Sequence, residues 1–85
     1  MLYAPTYHLE FVLNTTHASD KSLHSSLIEY GEGLTIVPVL PDDAGKGKHF
    51  KIQIRTQDPT IIFDICSQFG KLTLVKIHEE GGPDA

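Results

Sequence analysis

The most constraining feature of this sequence is a strand pattern that leads directly into a capped helix. Residues 50–56 alternate apolar and polar side chains, which is typical of a half-buried strand. Asp58 then supplies an N-cap carboxylate, and Pro59 takes the first helical position, where its missing N–H costs nothing. Apolar residues recur at helical spacing up to Gly70, which we expect to end the helix in a left-handed conformation. This stretch predicts a fold that mixes strands and helices.

Three further strands and a second helix follow from the same two periodicities. Residues 7–13 alternate strictly, whereas residues 34–40 and 72–78 are short apolar segments rich in β-branched side chains. Residues 20–30 carry apolar side chains at helical spacing, between a cap at Ser19 or Asp20 and a stop at Gly31. The elements therefore follow one another in the order β-α-β-β-α-β.

This order resembles the ferredoxin-like arrangement, an α+β fold. It implies a four-stranded antiparallel sheet in the order 4-1-3-2, with two helices on one face. Pro38 agrees with this order, because proline in a sheet is confined mainly to edges and the second strand is an edge here. We expect residues 1–78 to form a single domain and residues 79–85 to be a flexible acidic tail.

The fourth strand has two possible facings. Either Thr73, Val75 and Ile77 face the core, or Leu72 and Leu74 do. We expect the first, because it leaves the charged side chains of this strand in solvent. The predicted core is then Leu9, Phe11, Leu13, Leu23, Leu27, Ile36, Phe50, Ile52, Ile54, Ile62, Ile65, Phe69, Val75 and Ile77.

Composition excludes several classes of protein. Seven Lys and Arg stand against eleven Asp and Glu, and the resulting net charge of −4 argues against a nucleic-acid partner. The sequence has neither an apolar run of membrane-spanning length nor a signal-like N-terminal segment, so we expect no membrane partner and a cytoplasmic location. Its single cysteine, Cys66, allows no internal disulfide and is interpreted as a small core residue.

Residues 27–37, Leu-Ile-Glu-Tyr-Gly-Glu-Gly-Leu-Thr-Ile-Val, resemble the helix-to-strand passage of small ACT-like domains. Such domains sense small molecules, often amino acids, and commonly pair through sheet edges. The resemblance implies a non-enzymatic regulatory or interaction domain that forms a homodimer or a higher homo-oligomer. Residues 34–40 are the predicted pairing edge.

The predicted topology also brings three polar segments to one end of the sheet: residues 14–19, 41–48 and 70–71. Their lysines and hydroxyls, together with the N-terminus of the first helix, suit a small anionic ligand such as a carboxylate or a phosphate. No catalytic residue and no cofactor are expected. The predicted ligand-binding residues are Thr15, Thr16, His17, Ser19, Lys46, Lys48 and Lys71.

Two alternative functions stay open. The first is a small enzyme or metal-binding protein that uses the open face of the sheet. Its candidate polar groups are His8, Glu10, His78 and Arg55. The first three are the candidate metal ligands, since two histidines and a carboxylate can bind a divalent transition metal. The second is a protein–protein adaptor without a small ligand.

Overall fold

The computed structural model describes residues 5–39 and 47–80. Its elements are β1 (Thr6–Thr15), α1 (Asp20–Leu27), a 3₁₀ turn (Ile28–Tyr30), β2 (Glu32–Val39), β3 (Lys48–Thr56), α2 (Pro59–Phe69) and β4 (Lys71–Glu80). The strands form one antiparallel sheet in the order β2-β3-β1-β4, which is 4-1-3-2 read from the other edge. The predicted α+β class and strand order are thus confirmed.

Local signals place the helix starts as predicted. Ser19 caps α1 in a reciprocal capping box, in which Ser22 N donates to Ser19 Oγ at 3.2 Å and Ser19 N donates to Ser22 Oγ at 3.0 Å. Asp58 caps α2 by accepting from Ile61 N at 3.4 Å. The first helix departs from expectation at its end, because its last turn tightens to a 3₁₀ turn after Leu27.

The core lies between one face of the sheet and the two helices. Alternate residues of β1 and β3 point to this helix-covered face and are buried, and both helices contribute to the same cluster. The Phe11 and Phe63 rings meet edge to face, with their centroids 5.8 Å apart. The buried apolar residues are Leu9, Phe11, Leu13, Ala18, Leu23, Leu27, Phe50, Ile52, Ile54, Ile62 and Cys66. Ile36, Ile65 and Phe69 pack against them only partly buried.

A β-bulge divides β4 into two halves that face differently. Between the pairs Glu10–Lys76 and Val12–Thr73, β1 advances by two residues and β4 by three. The extra residue is Leu74, whose φ of 53° is left-handed, a conformation that bulky side chains rarely adopt. Before Leu74 the even-numbered side chains of β4 therefore point to the helix-covered face, and after it the odd-numbered side chains do.

The prediction that Thr73, Val75 and Ile77 share the core face is wrong at Thr73. Leu72 pairs with Leu13 on the helix-covered face, so Thr73 lies on the open face. Ile77 pairs with a core residue and Val75 shares its side, yet they are 54% and 45% exposed and are not core residues as predicted. The reason is that β4 is an outer strand with a neighbour on one side only.

The predicted boundary at residue 78 falls inside β4. Glu79 and Glu80 continue this strand and pair with Tyr7 and Thr6. Residues 81–85 of the predicted tail lie outside the described residues, as does most of the loop at residues 41–48. Within the described ranges, no helix has the length and apolar character needed to cross a membrane.

Gly70 ends α2, but not in the left-handed conformation that the sequence predicted. Its φ is 170°, which is extended, and its N–H donates to Cys66 O at 3.2 Å. A glycine is required for another reason: a Cβ at this position would overlap the carbonyl oxygen of Asn14 and lie 3.1 Å from the Cα of Thr15. The close approach of the α2–β4 junction to the end of β1 therefore depends on the missing side chain.

We expect Gly70→Ala to destabilise the fold by about 1–3 kcal/mol, because the added methyl group forces the backbone of β1 away from the junction. Urea denaturation followed by circular dichroism measures this. Gln68→Ala, at an exposed position near the end of the same helix, is the control and should change stability by less than about 0.5 kcal/mol. Equal stability of the two variants would contradict the close contact.

Candidate functional site

Two of the hydroxyls predicted to bind an anion serve the fold instead. Thr15 is 3% exposed, and its Oγ1 donates to the carbonyl oxygen of Phe69 at 2.8 Å. The same oxygen accepts from the backbone N–H groups of His17 at 3.4 Å and Ala18 at 3.2 Å. A threonine hydroxyl has one proton and two lone pairs, so these contacts use its full capacity. Ser19 Oγ is likewise engaged as the cap of α1.

The remaining predicted ligand residues in the described ranges are exposed, but they do not converge on one face. Thr16, His17, Lys48 and Lys71 all lie near the end of β1. Lys71 pairs with Asn14 on the open face, whereas Lys48 pairs with the next residue of β1, on the helix-covered face. The two lysines therefore flank the end of β1 from opposite faces of the sheet. The seventh candidate, Lys46, lies outside the described residues.

A polar row crosses the open face at this end of the sheet. Asn14 on β1 lies between His49 on β3 and Lys71 on β4. Asn14 Oδ1 and His49 Nδ1 are buried and have no hydrogen-bond partner among residues 5–39 and 47–80. The row therefore holds one acceptor and one ring nitrogen whose hydrogen-bonding capacity the described residues do not use.

The open-face candidates for a metal follow the expected register but do not assemble a site. His8 and His78 are cross-strand partners, as the antiparallel arrangement predicted. Glu10, further along the same face, lies 3.6 Å from Lys51 Nζ and accepts from Gln53 Nε2 at 3.4 Å. Among residues 5–39 and 47–80, no group of three or more His, Cys, Asp or Glu side chains is placed to hold a metal ion.

The charges of the open face are distributed unevenly over its strands. On β3, Lys51 is paired with Glu10, and Arg55 lies 3.8 Å from Glu32. On β4, Lys71 and Lys76 have no ion-pair partner within 4.0 Å among the described residues. β4 also carries Glu79 and Glu80, so its two lysines and two glutamates balance in formal charge.

The two edges of the sheet expose different side chains. On β2, residues 34–39 contain no charged side chain, and Val37 and Val39 are 53% and 38% exposed. On β4, Leu74 is 75% exposed and stands beside the exposed Val75 and Ile77. Sequence reasoning identified the first edge but missed the second. Alternation alone shows neither a bulge nor the extent to which a helix covers an outer strand.

A groove lies at the opposite end of the sheet from the predicted anion site. It has a volume of about 520 Å³ and runs between the end of β3, the start of β2 and the N-terminus of α2. Glu29, Glu32 and Asp58 line it together with Arg55. Three carboxylates against one guanidinium give this groove the wrong sign for the predicted anion. No motif in the sequence marks it.

We expect Thr15→Val to destabilise the protein by about 1–3 kcal/mol, because the isosteric side chain leaves the Phe69 carbonyl and two backbone N–H groups without their partner. Thr16→Val, at the neighbouring exposed position, should change stability by less than about 0.5 kcal/mol. Urea denaturation of both variants measures the difference. A wild-type stability of Thr15→Val would show that this hydroxyl does not hold the loop.

Cys66 should be chemically inert in the folded protein. It is fully buried on α2, and burial raises the pKa of its thiol to about 12, so the reactive thiolate is not formed near neutral pH. We expect Ellman's reagent at pH 8 to label native protein very slowly and urea-unfolded protein at the rate of an ordinary thiol. Since Cys66 is the single cysteine, the signal reports this site alone. Rapid labelling of native protein would contradict its placement in the core.

Comparison of the chain with protein-family models, with curated proteins and with solved structures found no match.

Proposed function

We propose that this chain is a small non-enzymatic interaction domain of the ferredoxin-like type that self-associates through the outer edge of β2. The observation that carries this proposal is the uncharged edge at residues 34–39, with Val37 and Val39 exposed. An outer strand presents unpaired backbone N–H and C=O groups, and proteins usually protect such edges with charged side chains. In the described part of β2 after Glu32, that protection is missing.

The other edge is poorly suited to pairing with a copy of itself. β4 carries Lys71, Lys76, Glu79 and Glu80, and the bulge at Leu74 interrupts its ladder. Charged side chains and bulges are the usual means of preventing edge-to-edge pairing. β2 has an irregularity of its own, but it lies between Glu32 and Thr35, and the register with β3 is regular from Thr35 to Val39. The uncharged and regular stretch there supports β2 as the self-association edge.

Antiparallel pairing of two β2 strands about a two-fold axis would join two sheets into one. Such an interface is isologous, so each contact occurs twice. Pro38 removes one backbone donor from β2 and thereby restricts the possible registers. A shallow groove of about 370 Å³ between α1 and β2, lined by Asp20, His24 and Ile36 among others, adjoins this edge. Side chains of α1 would therefore contribute to the interface.

The regulatory role and the cytoplasmic location stay predictions from the sequence, as does the small anionic ligand. For that ligand, the exposed Thr16, His17, Lys48 and Lys71 are the predicted contacts whose side chains the fold leaves accessible. A ligand at the end of β1 would act by ordering the loop that leads into α1. Because α1 adjoins the proposed interface, ordering of this loop would alter self-association.

Sedimentation velocity over a wide concentration range tests the proposal. We expect the wild type to form a dimer and Val37→Lys to shift it toward monomer, because the two-fold axis brings two new ammonium groups close together. The matched control is Val75→Lys, which places the same charge on an exposed valine of the opposite edge. This control should sediment as the wild type does.

Three results would contradict the proposal. A wild type that stays monomeric at every concentration would exclude self-association. Dissociation by Val75→Lys but not by Val37→Lys would place the interface on β4. An unchanged dimer in both variants would place it away from both edges. Circular dichroism of each variant checks that the fold is retained.

A further inference from the structure

We propose that the dimer formed through β2 binds a zinc ion on its two-fold axis, with Asp20 and His24 of both copies as the ligands. The inference rests on the self-association proposed above and adds a ligand that regulates it. Two observations carry it: the groove between α1 and β2, and the restriction that Pro38 places on the pairing of two β2 strands.

Pro38 indicates which backbone groups of β2 face outward. Proline has no N–H, and in an edge strand its nitrogen lies on the outer side of the sheet. Backbone groups of an antiparallel strand point alternately to its two sides, and β2 is regular in its pairing with β3 from Thr35 to Val39. Ile36 therefore directs its N–H and C=O groups outward, as does Leu34 by the same alternation. The outer side of β2 has no donor at Pro38.

The missing donor favours one register for the pair of β2 strands. A two-fold axis at Val37 would place Ile36 opposite Pro38 of the second copy, and each such pair would form one hydrogen bond instead of two. With the axis at Ile36, the two Ile36 residues exchange both hydrogen bonds, and each Leu34 N–H donates to Pro38 O of the other copy. This register pairs residues 34–38 with their copies, and all of them are uncharged.

A two-fold axis at Thr35 is the other register that uses both donors. It would place the charged Glu32 opposite Pro38 of the second copy. It would also bring the irregular stretch between Glu32 and Thr35 into the new ladder. Both effects oppose pairing, so the axis at Ile36 is favoured.

The groove between α1 and β2 lies beside this axis. Ile36 lines it together with Asp20, Lys21, His24 and Ser25 of α1, and its volume is about 370 Å³. Because the favoured axis passes between the two Ile36 residues, the groove of each copy adjoins the groove of the other. Packed helices lie about 8–10 Å apart, so groups on the two α1 helices come within reach of one ion between them.

Asp20 and His24 form half of a metal site in each copy. They are one helical turn apart on α1 and therefore share a face of the helix. Both are exposed, and neither has an ion-pair partner within 4.0 Å among residues 5–39 and 47–80. Two imidazole nitrogens and two carboxylate oxygens complete the four-coordinate set that Zn²⁺ prefers.

The site needs both copies. Within one copy, the described residues hold no group of three or more His, Cys, Asp or Glu side chains that could bind a metal ion. An ion that two half-sites share binds the dimer and not the monomer, so it stabilises the dimer by mass action. Lys21 lines the same groove, and its positive charge opposes a cation there.

Sedimentation velocity in EDTA, and then with zinc chloride in excess, tests the inference. We expect zinc to lower the dissociation constant of the wild-type dimer by about ten-fold or more. Titration calorimetry should give one zinc ion for two chains. His24→Ala and Asp20→Asn should each abolish the response to zinc and keep the metal-free dimer, because neither side chain belongs to the strand ladder. Circular dichroism checks that α1 is retained.

Two further variants locate the ion. His78→Ala is the matched control, because it removes an exposed histidine of β4, far from the β2 edge. It should respond to zinc as the wild type does. Lys21→Ala removes the opposing charge from the groove and should strengthen the response.

The possible failures are distinguishable. A metal-free dimer that zinc does not strengthen would overturn this inference and leave the proposed self-association standing. A chain that is monomeric both with and without zinc would overturn both. Loss of the response in His78→Ala but not in His24→Ala would place the ion on the open face of the sheet and overturn its assignment to the groove. One zinc ion for each chain would show that the site is not shared.

Discussion

The burial of alternate side chains of β1 is the constraint on which the rest of the structure depends. β1 is an inner strand that pairs with both β3 and β4, and its Leu9, Phe11 and Leu13 are fully buried beneath the helices. A slip of one residue in either pairing would turn this set toward solvent, so the hydrophobic effect fixes the register of the inner strands. The outer strands have a neighbour on one side only, and it is there that the bulges and the exposed apolar side chains occur.

The sequence predicted well those features that neighbouring residues control. Alternation identified β1 and β3, caps identified the starts of both helices, and the order of elements led to the strand order. Features that depend on distant residues were missed. The facing of β4 changes at a bulge that no local pattern marks, and Gly70 is required by the approach of Asn14, which is far away in the sequence. Periodicity reports which face a residue takes, but not what covers that face.

The predicted anion site shows the same limit for function. Residue types at the end of β1 suggested hydroxyls for a ligand, yet Thr15 and Ser19 use theirs to hold the loop and to start α1. A hydroxyl beside the start of a helix can either cap the helix or bind a ligand, and the sequence alone does not show which of the two it does. The opposite edge was missed because Val75 and Ile77 had been assigned to the core. The exposed strip on β4 follows only from the assembled sheet, in which β4 is an outer strand.

The two edges of the sheet differ in the side chains that protect them, and this difference would limit the size of any assembly that the chain forms. If both edges were equally adhesive, copies would stack head to tail, each leaving a fresh edge for the next, and the product would be an open-ended fibre. Here the edge of β2 is uncharged over residues 34–39, whereas β4 carries a bulge at Leu74 and charged side chains of both signs. In the proposed dimer, pairing of β2 with β2 would use the uncharged edge of both copies. Growth would then end after a single step, and a chain with an exposed valine edge would form a finite particle.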